Sequence, residues 1–279
     1  MIEAPEAGVI AGVPGELRRL WFAWPTLFRI AVAEMVAYRA EMIIWILSAT
    51  LPLVMLALWN AASASGPLAG VTQTDFGRYF AVTLVVRQLT GTWIVWELNY
   101  QIRNGSLSPA LLRPINPLWY NLAETLAALP WRLAVLAPIL AGLWWWKPEI
   151  VFLPSAAAAA GFAVSVVLAL LLSWLVQCIF GLAAFWFDQS IGLFSIYFAV
   201  WALMSGYVVP LPMLPDWFQA AVGWLPWYGT LGAPVGILTG QEPHIVRTLA
   251  IQGGWVVLLV WATMTLWRRG LVRYGAVGA

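Results

Sequence analysis

Few side chains in this 279-residue chain could do chemistry, and their types and spacing argue against most of it. His244 is the single histidine and Cys178 the single cysteine, so neither a metal cluster nor an internal disulfide can be built from them. Lys147 is the sole lysine and is followed by Pro148. A phosphate-binding loop needs a glycine-rich turn ending in Gly-Lys-Ser/Thr. No serine, histidine and aspartate stand at a spacing that suggests a nucleophile with its base, and no HExxH pattern occurs. A membrane-embedded enzyme is therefore disfavoured, and this chain is expected to bind no cofactor, metal or nucleic acid. What remains is charge set in apolar sequence. Arg87 lies near the middle of one apolar run; Glu97, Glu124, Arg132 and Asp188 lie nearer the ends of others. An arginine at a membrane-helix centre costs about 2.5–3.5 kcal/mol on insertion scales, so it turns towards protein or water. Arg87 then faces a substrate cavity or subunit seam, or else makes structural contacts within the bundle. An ion-coupled carrier would want carboxylates deep in the membrane, and no run carries one at its centre.

The elements that hold these residues follow from composition. The chain is 62% hydrophobic and 9% charged, whereas soluble domains carry roughly 25% charged residues. Its apolar stretches approach or exceed the ~20 residues that cross a bilayer as a helix. Six are expected, over residues 42–62, 79–96, 129–146, 155–187, 191–209 and 245–267. The opening residues hold three glutamates and no compact apolar core after a basic start, so a cleavable leader is not expected. Six spans put both termini on one side. That side receives Arg18, Arg19, Arg29, Arg39, Arg103, Arg113, Arg268, Arg269 and Arg273; the other receives only Arg78, Lys147 and Arg247. The bias makes both termini, and the polar loop 99–117, cytoplasmic. We expect one membrane domain over residues 1–279.

Two further segments are not expected to span. Residues 16–41 have helical periodicity, with Leu17, Leu20, Trp21, Trp24, Phe28, Ala31 and Met35 on one face and Arg18, Arg19, Arg29 and Glu34 on the other. This predicts an amphipathic interfacial helix, kinked or split at Pro25. It serves as an anchor, or as an elbow that also touches a cytoplasmic partner. Residues 210–240 are apolar but broken by Pro210, Pro212, Pro215, Pro226 and Pro234. They read as short re-entrant or interfacial helices, or as an ordinary outer loop; backbone at membrane depth needs protein or a water-filled cavity around it.

In loop 99–117, Ser106 or Ser108 can cap a short helix with Pro109 in its first turn. Leu107, Leu111 and Leu112 are then apolar residues exposed in a polar loop, suited to a partner's pocket, unless the loop simply lies on the membrane. This loop, Ile102 to Ser108 with Leu112 to Pro117, is the strongest of several features that resemble type-2 ABC exporter permeases. The others are Tyr38-Arg39-Ala40-Glu41, Arg87, and Trp267 to Tyr274. The nearer likeness is to a bacterial branch whose permeases often occur in pairs beside one ATPase.

The resemblance implies a multi-pass subunit of the bacterial inner membrane. It would couple to a cytoplasmic ATPase that holds ATP and Mg, and it would pair with a second permease, a related chain rather than a second copy. A coupling helix would be carried by Gly105, Ser106, Leu107, Ser108, Leu111, Leu112 and Arg113, with elbow contacts from Arg18, Arg19 and Arg29. The translocation path would draw on Arg87, Trp93, Phe194, Tyr197, Phe198 and Trp201, although lipid-facing or core packing accounts for these aromatics equally. An aromatic path would suit hydrophobic or cationic amphiphiles, lipids included. The alternative function is an ion-coupled secondary transporter.

Overall fold

The computed structural model describes residues 13–37, 50–113 and 115–277. Tyr38 to Glu41 and the first part of the run 42–62 lie outside the described residues. In order, the helices are α1 (Val13–Ala37), α2 (Leu51–Ala62), α3 (Gln73–Thr90), α4 (Ile94–Arg103), α5 (Leu107–Leu111), α6 (Pro117–Ala127) and α7 (Leu129–Trp146). There follow α8 (Ala156–Leu182), α9 (Ser190–Met204), α10 (Asp216–Val222), α11 (Pro226–Thr230), α12 (Gly232–Thr239) and α13 (Ile245–Val277). Among the described residues the β-structure is one isolated bridge, Leu68 to Val71.

Among the described residues four helical stretches are long and apolar enough to cross a membrane: Arg18–Ala37, Pro117–Trp146, Ala156–Phe185 and Ile245–Tyr274. Leu51–Ala62 and Ser190–Met204 are shorter apolar helices. Local signals set several starts. Thr72 and Asp75 form a reciprocal cap on α3, the Thr72 hydroxyl accepting from the Asp75 amide at 3.2 Å and the Asp75 carboxylate from the Thr72 amide at 3.0 Å. Asn116 caps α6 ahead of Pro117, and Ser155 caps α8 through the Ala158 amide at 3.1 Å.

Several predicted elements take a different form. The segment expected to be kinked or split at Pro25 is not split: α1 runs through Pro25 as one helix. On its predicted apolar face Leu20, Trp24, Phe28 and Met35 are half-buried and Ala31 is fully buried, but Trp21, expected there too, is 79% exposed. The helix packs on α6, where the Tyr120 hydroxyl donates to the Glu34 carboxylate. The third span begins at Pro117 rather than 129, because α6 and α7 run on with a single residue between them. The fifth ends at Met204, not 209. At 15 residues and ~1.5 Å per residue, α9 falls short of a ~30 Å hydrocarbon core. The chain turns back through α10, α11 and α12. Residues Thr230 to Ile237 are all buried, with α12 against α8 and α3.

The second expected span, 79–96, is two helices. α3 stops at Thr90, Gly91 is extended at φ −63°, ψ 141°, and α4 begins at Ile94. The break frees carbonyls that a continuous helix would satisfy. Buried Arg132, on α7, donates through Nη1 to the carbonyls of Gln88 and Gly91.

α8 is the central post, contacted by α4, α12, α13 and others. Gly181 permits its closest approach: a Cβ there would lie 2.8 Å from the Leu98 Cβ of α4. Gln252 knits the post to its neighbours. It accepts from the Ser165 hydroxyl at 3.0 Å and donates to the Gly229 carbonyl at 2.7 Å, at 1% exposure. Gln252→Leu strands both groups, and is expected to cost about 1–3 kcal/mol per group left unsatisfied. A fall in the thermal midpoint of detergent-solubilised protein checks this.

Candidate functional site

Two apolar clusters organise the interior. One gathers Leu56, Phe76, Phe80, Val86, Leu231 and Val235; the other gathers Ile94, Leu98, Ile102, Leu107, Trp174 and Leu182. Along the α3–α4 segment the break at 91–93 separates residues of the first cluster from those of the second. A cavity of about 80 Å³ opens beside that break. This is room for a few water molecules.

Each wall has a structural source. α3 supplies Arg87 and Gln88, and the break supplies Gly91, Thr92 and Trp93. Trp96 comes from α4, Arg132 from α7, and Ser173, Val176 and Gln177 from α8. α9 contributes Phe194, Tyr197, Phe198 and Trp201, and α11 contributes Thr230. All six residues that the sequence suggested for a path, Arg87, Trp93, Phe194, Tyr197, Phe198 and Trp201, thus line one cavity. The four from α9 are spaced i, i+3, i+4 and i+7, which is one helix face. Their rings interlock, with Phe194 to Tyr197 at 6.0 Å and Phe198 to Trp201 at 5.1 Å between centroids. Trp96 closes edge-on to Phe194 at 5.4 Å. Trp93, Trp96 and Phe198 remain 38–42% exposed and form the mouth.

Arg87 is held over the rings of Trp201 at 5.3 Å and Tyr207 at 5.9 Å. Trp201 is fixed in turn by donating to Thr230 at 2.7 Å. Sequence reasoning placed Arg132 near a span end and gave it no part in the site. Its role depends on the break, which a weak Gly-Thr signal alone marks. Gln88, Gln177 and Thr230 were missed because polar residues within apolar runs do not reveal a common direction.

Residues 99–103 of the expected loop 99–117 are helical and form the end of α4, so the loop starts later than predicted. The sole ion pair within 4.0 Å among the described residues, Arg103 with Asp188, joins the end of α4 to the segment after α8. Gly105 turns at φ +76°, a conformation glycine adopts without strain. The short helix α5 follows, but neither serine caps it as expected. Ser106 makes no side-chain cap, and the Ser108 hydroxyl instead bonds the Tyr274 hydroxyl of α13 at 3.0 Å.

The expected exposure of three leucines also needs correction. Leu107 is fully buried in the second cluster, which also holds Ile102 and Leu118; Leu111 packs partly against the same cluster. Leu112 alone stands out, at 87% exposure, beside exposed Arg113. On α1, Arg18, Arg19 and Arg29 are all exposed.

A multi-pass helical membrane protein with an interior cavity beside a broken helix is the class these features define. The chain belongs to the ABC-2 family of transporter proteins, whose family model matches residues 48–278. The family is a transmembrane permease component, and membership implies an ATPase subunit as partner. No curated protein and no solved structure matches the chain.

Proposed function

We propose that this chain is the permease subunit of an ATP-driven exporter, contributing half of a translocation path in the bacterial inner membrane. The observation that carries the reading is a mechanical connection. The cavity mouth, at Trp93 and Trp96, and the exposed loop, at Gly105 to Arg113, sit at opposite ends of α4. A ten-residue helix is about 15 Å long, and α4 packs on α8. A push on the loop therefore tilts the mouth. The ATPase, with its ATP and Mg, grips Leu112 and Arg113 together with exposed Gly105, Ser106 and Ser108, while Leu107 and Leu111 root that surface in the core. Arg18, Arg19 and Arg29 offer additional contacts.

The topology in this reading has six spans with both termini cytoplasmic. α1 lies in the inner interface despite being long enough to cross, since its exposed Arg29 would stand in the bilayer. The span formed by α9 is completed in depth by the returning helices α11 and α12, the outer re-entrant segment. A second permease, a related chain, supplies the other half of the path, and the substrate is hydrophobic or amphiphilic.

Coexpression with an ABC ATPase and a candidate second permease, followed by copurification in nanodiscs, tests the reading. A stable complex that turns over ATP is expected. A chain that joins no ATPase, yet moves solute in response to a proton or sodium gradient, would establish the ion-coupled carrier instead.

A further inference from the structure

The cavity collects positive charge that no carboxylate in its wall neutralises. Arg87 and Arg132 both line it, and among the described residues no aspartate or glutamate does. Among the described residues, the ion pair nearest in sequence is Arg103 with Asp188, at the far end of α4. Arg132 spends its donors on the neutral carbonyls of Gln88 and Gly91. Arg87 lies over two aromatic faces, and its buried Nε has no hydrogen-bond partner. A ring quadrupole attracts a cation but supplies no counterion. Two like charges sharing a poorly solvated space repel each other, and an anion between them relieves both the repulsion and the desolvation. Guanidinium forks match phosphate and carboxylate oxygens in geometry as well as charge. The mouth itself is aromatic, with Trp93, Trp96 and Phe198 exposed there and Phe194 buried behind them.

We propose that this cavity takes the anionic head of an amphiphile, a phosphate or carboxylate set between Arg87 and Arg132, with the apolar body leading out over Trp96, Phe194 and Phe198. The inference rests on the cavity belonging to the translocation path, and it narrows the substrate class. The cationic amphiphiles that aromatic content alone suggests would bring a third positive charge to the same space.

Radiolabelled octyl phosphate and octyltrimethylammonium are compared for binding to the full chain in phosphatidylcholine nanodiscs, with empty nanodiscs subtracted. Octyl phosphate is expected to bind about tenfold more tightly or better. Arg87→Gln should erase that preference and Arg87→Lys should keep most of it. Equal or tighter binding of the ammonium probe to the wild type would overturn the proposal without recourse to any variant; so would octyl phosphate binding that Arg87→Gln leaves unchanged. Nanodiscs containing phosphatidylglycerol separate two sources of the same chemistry. Competition by the lipid makes the occupant a phospholipid head group, and its absence makes the occupant a diffusible amphiphile. Binding is measured without ATP or ATPase, so the two readings fail separately. Anion preference without ATPase coupling removes the exporter reading alone, and coupling without anion preference removes this proposal alone.

Discussion

Leu107→Asp is expected to unfold the end of the bundle that carries α5, whereas Leu112→Asp, five positions on, leaves the fold intact and uncouples the ATPase. Leu107 is fully buried among Ile94, Leu98, Ile102, Leu118 and Trp174. Replacing it forfeits about 1.5–3 kcal/mol of apolar burial. It also moves a carboxyl group from water into an apolar cluster, which adds roughly 1–3 kcal/mol or more. The sum is a large share of the ~5–15 kcal/mol that separates folded from unfolded protein, so low yield and a broadened size-exclusion profile should follow.

Leu112 buries little, and Leu112→Asp should match wild type in yield and thermal midpoint. Its effect appears in the assembled complex, as a loss of about tenfold or more in permease-stimulated ATP turnover, the scale of one apolar anchor removed from an interface. A stable Leu107→Asp protein would show that the turn at Gly105 does not root the loop. Full coupling in Leu112→Asp would move the ATPase contact away from this loop.

Arg132→Leu should be the second most damaging change. The side chain is 4% exposed and caps the end of α3 at the break, through the carbonyls of Gln88 and Gly91. Each carbonyl left unsatisfied costs about 1–3 kcal/mol, and more where no water can reach it. The loss is expected to be about 2–5 kcal/mol, read as a fall in thermal midpoint. Arg132→Lys retains a donor on a flexible stem and should recover part of it. Undiminished stability in the leucine variant would mean that the break holds itself open and that Arg132 only charges the cavity. The octyl phosphate assay would then still report on that charge.

How much of this was legible beforehand varies with the physical origin of each feature. The apolar runs announced a membrane protein because desolvation acts on every residue of a span, and a run of side chains records it. The α9 residues of the cavity were legible individually, and their helical spacing puts them on one face. The break at 91–93 was hidden. Gly91 and Thr92 weaken a helix only modestly, and what holds the break is Arg132, more than forty positions away. Leu107 and Leu112 were indistinguishable as exposed leucines in a polar loop. The positive φ of Gly105 and the Ser108–Tyr274 contact turn one inwards and leave the other outside.

By itself the sequence determined that this chain is helical, belongs in a membrane and lacks the motifs of a catalyst. It also determined the family, through the order of weak motifs along the chain. Those properties are additive over local sequence: hydropathy, charge count and spacing. Only the tertiary structure decided that two arginines from different helices share a cavity in which no described residue is a carboxylate. Only it decided that residues 230–237 are buried in the bundle, and that one leucine of three is free for a partner. These are properties of juxtaposition. They depend on where α8 allows its neighbours to pack, and a close approach such as that at Gly181 leaves no signature in the linear order of residues.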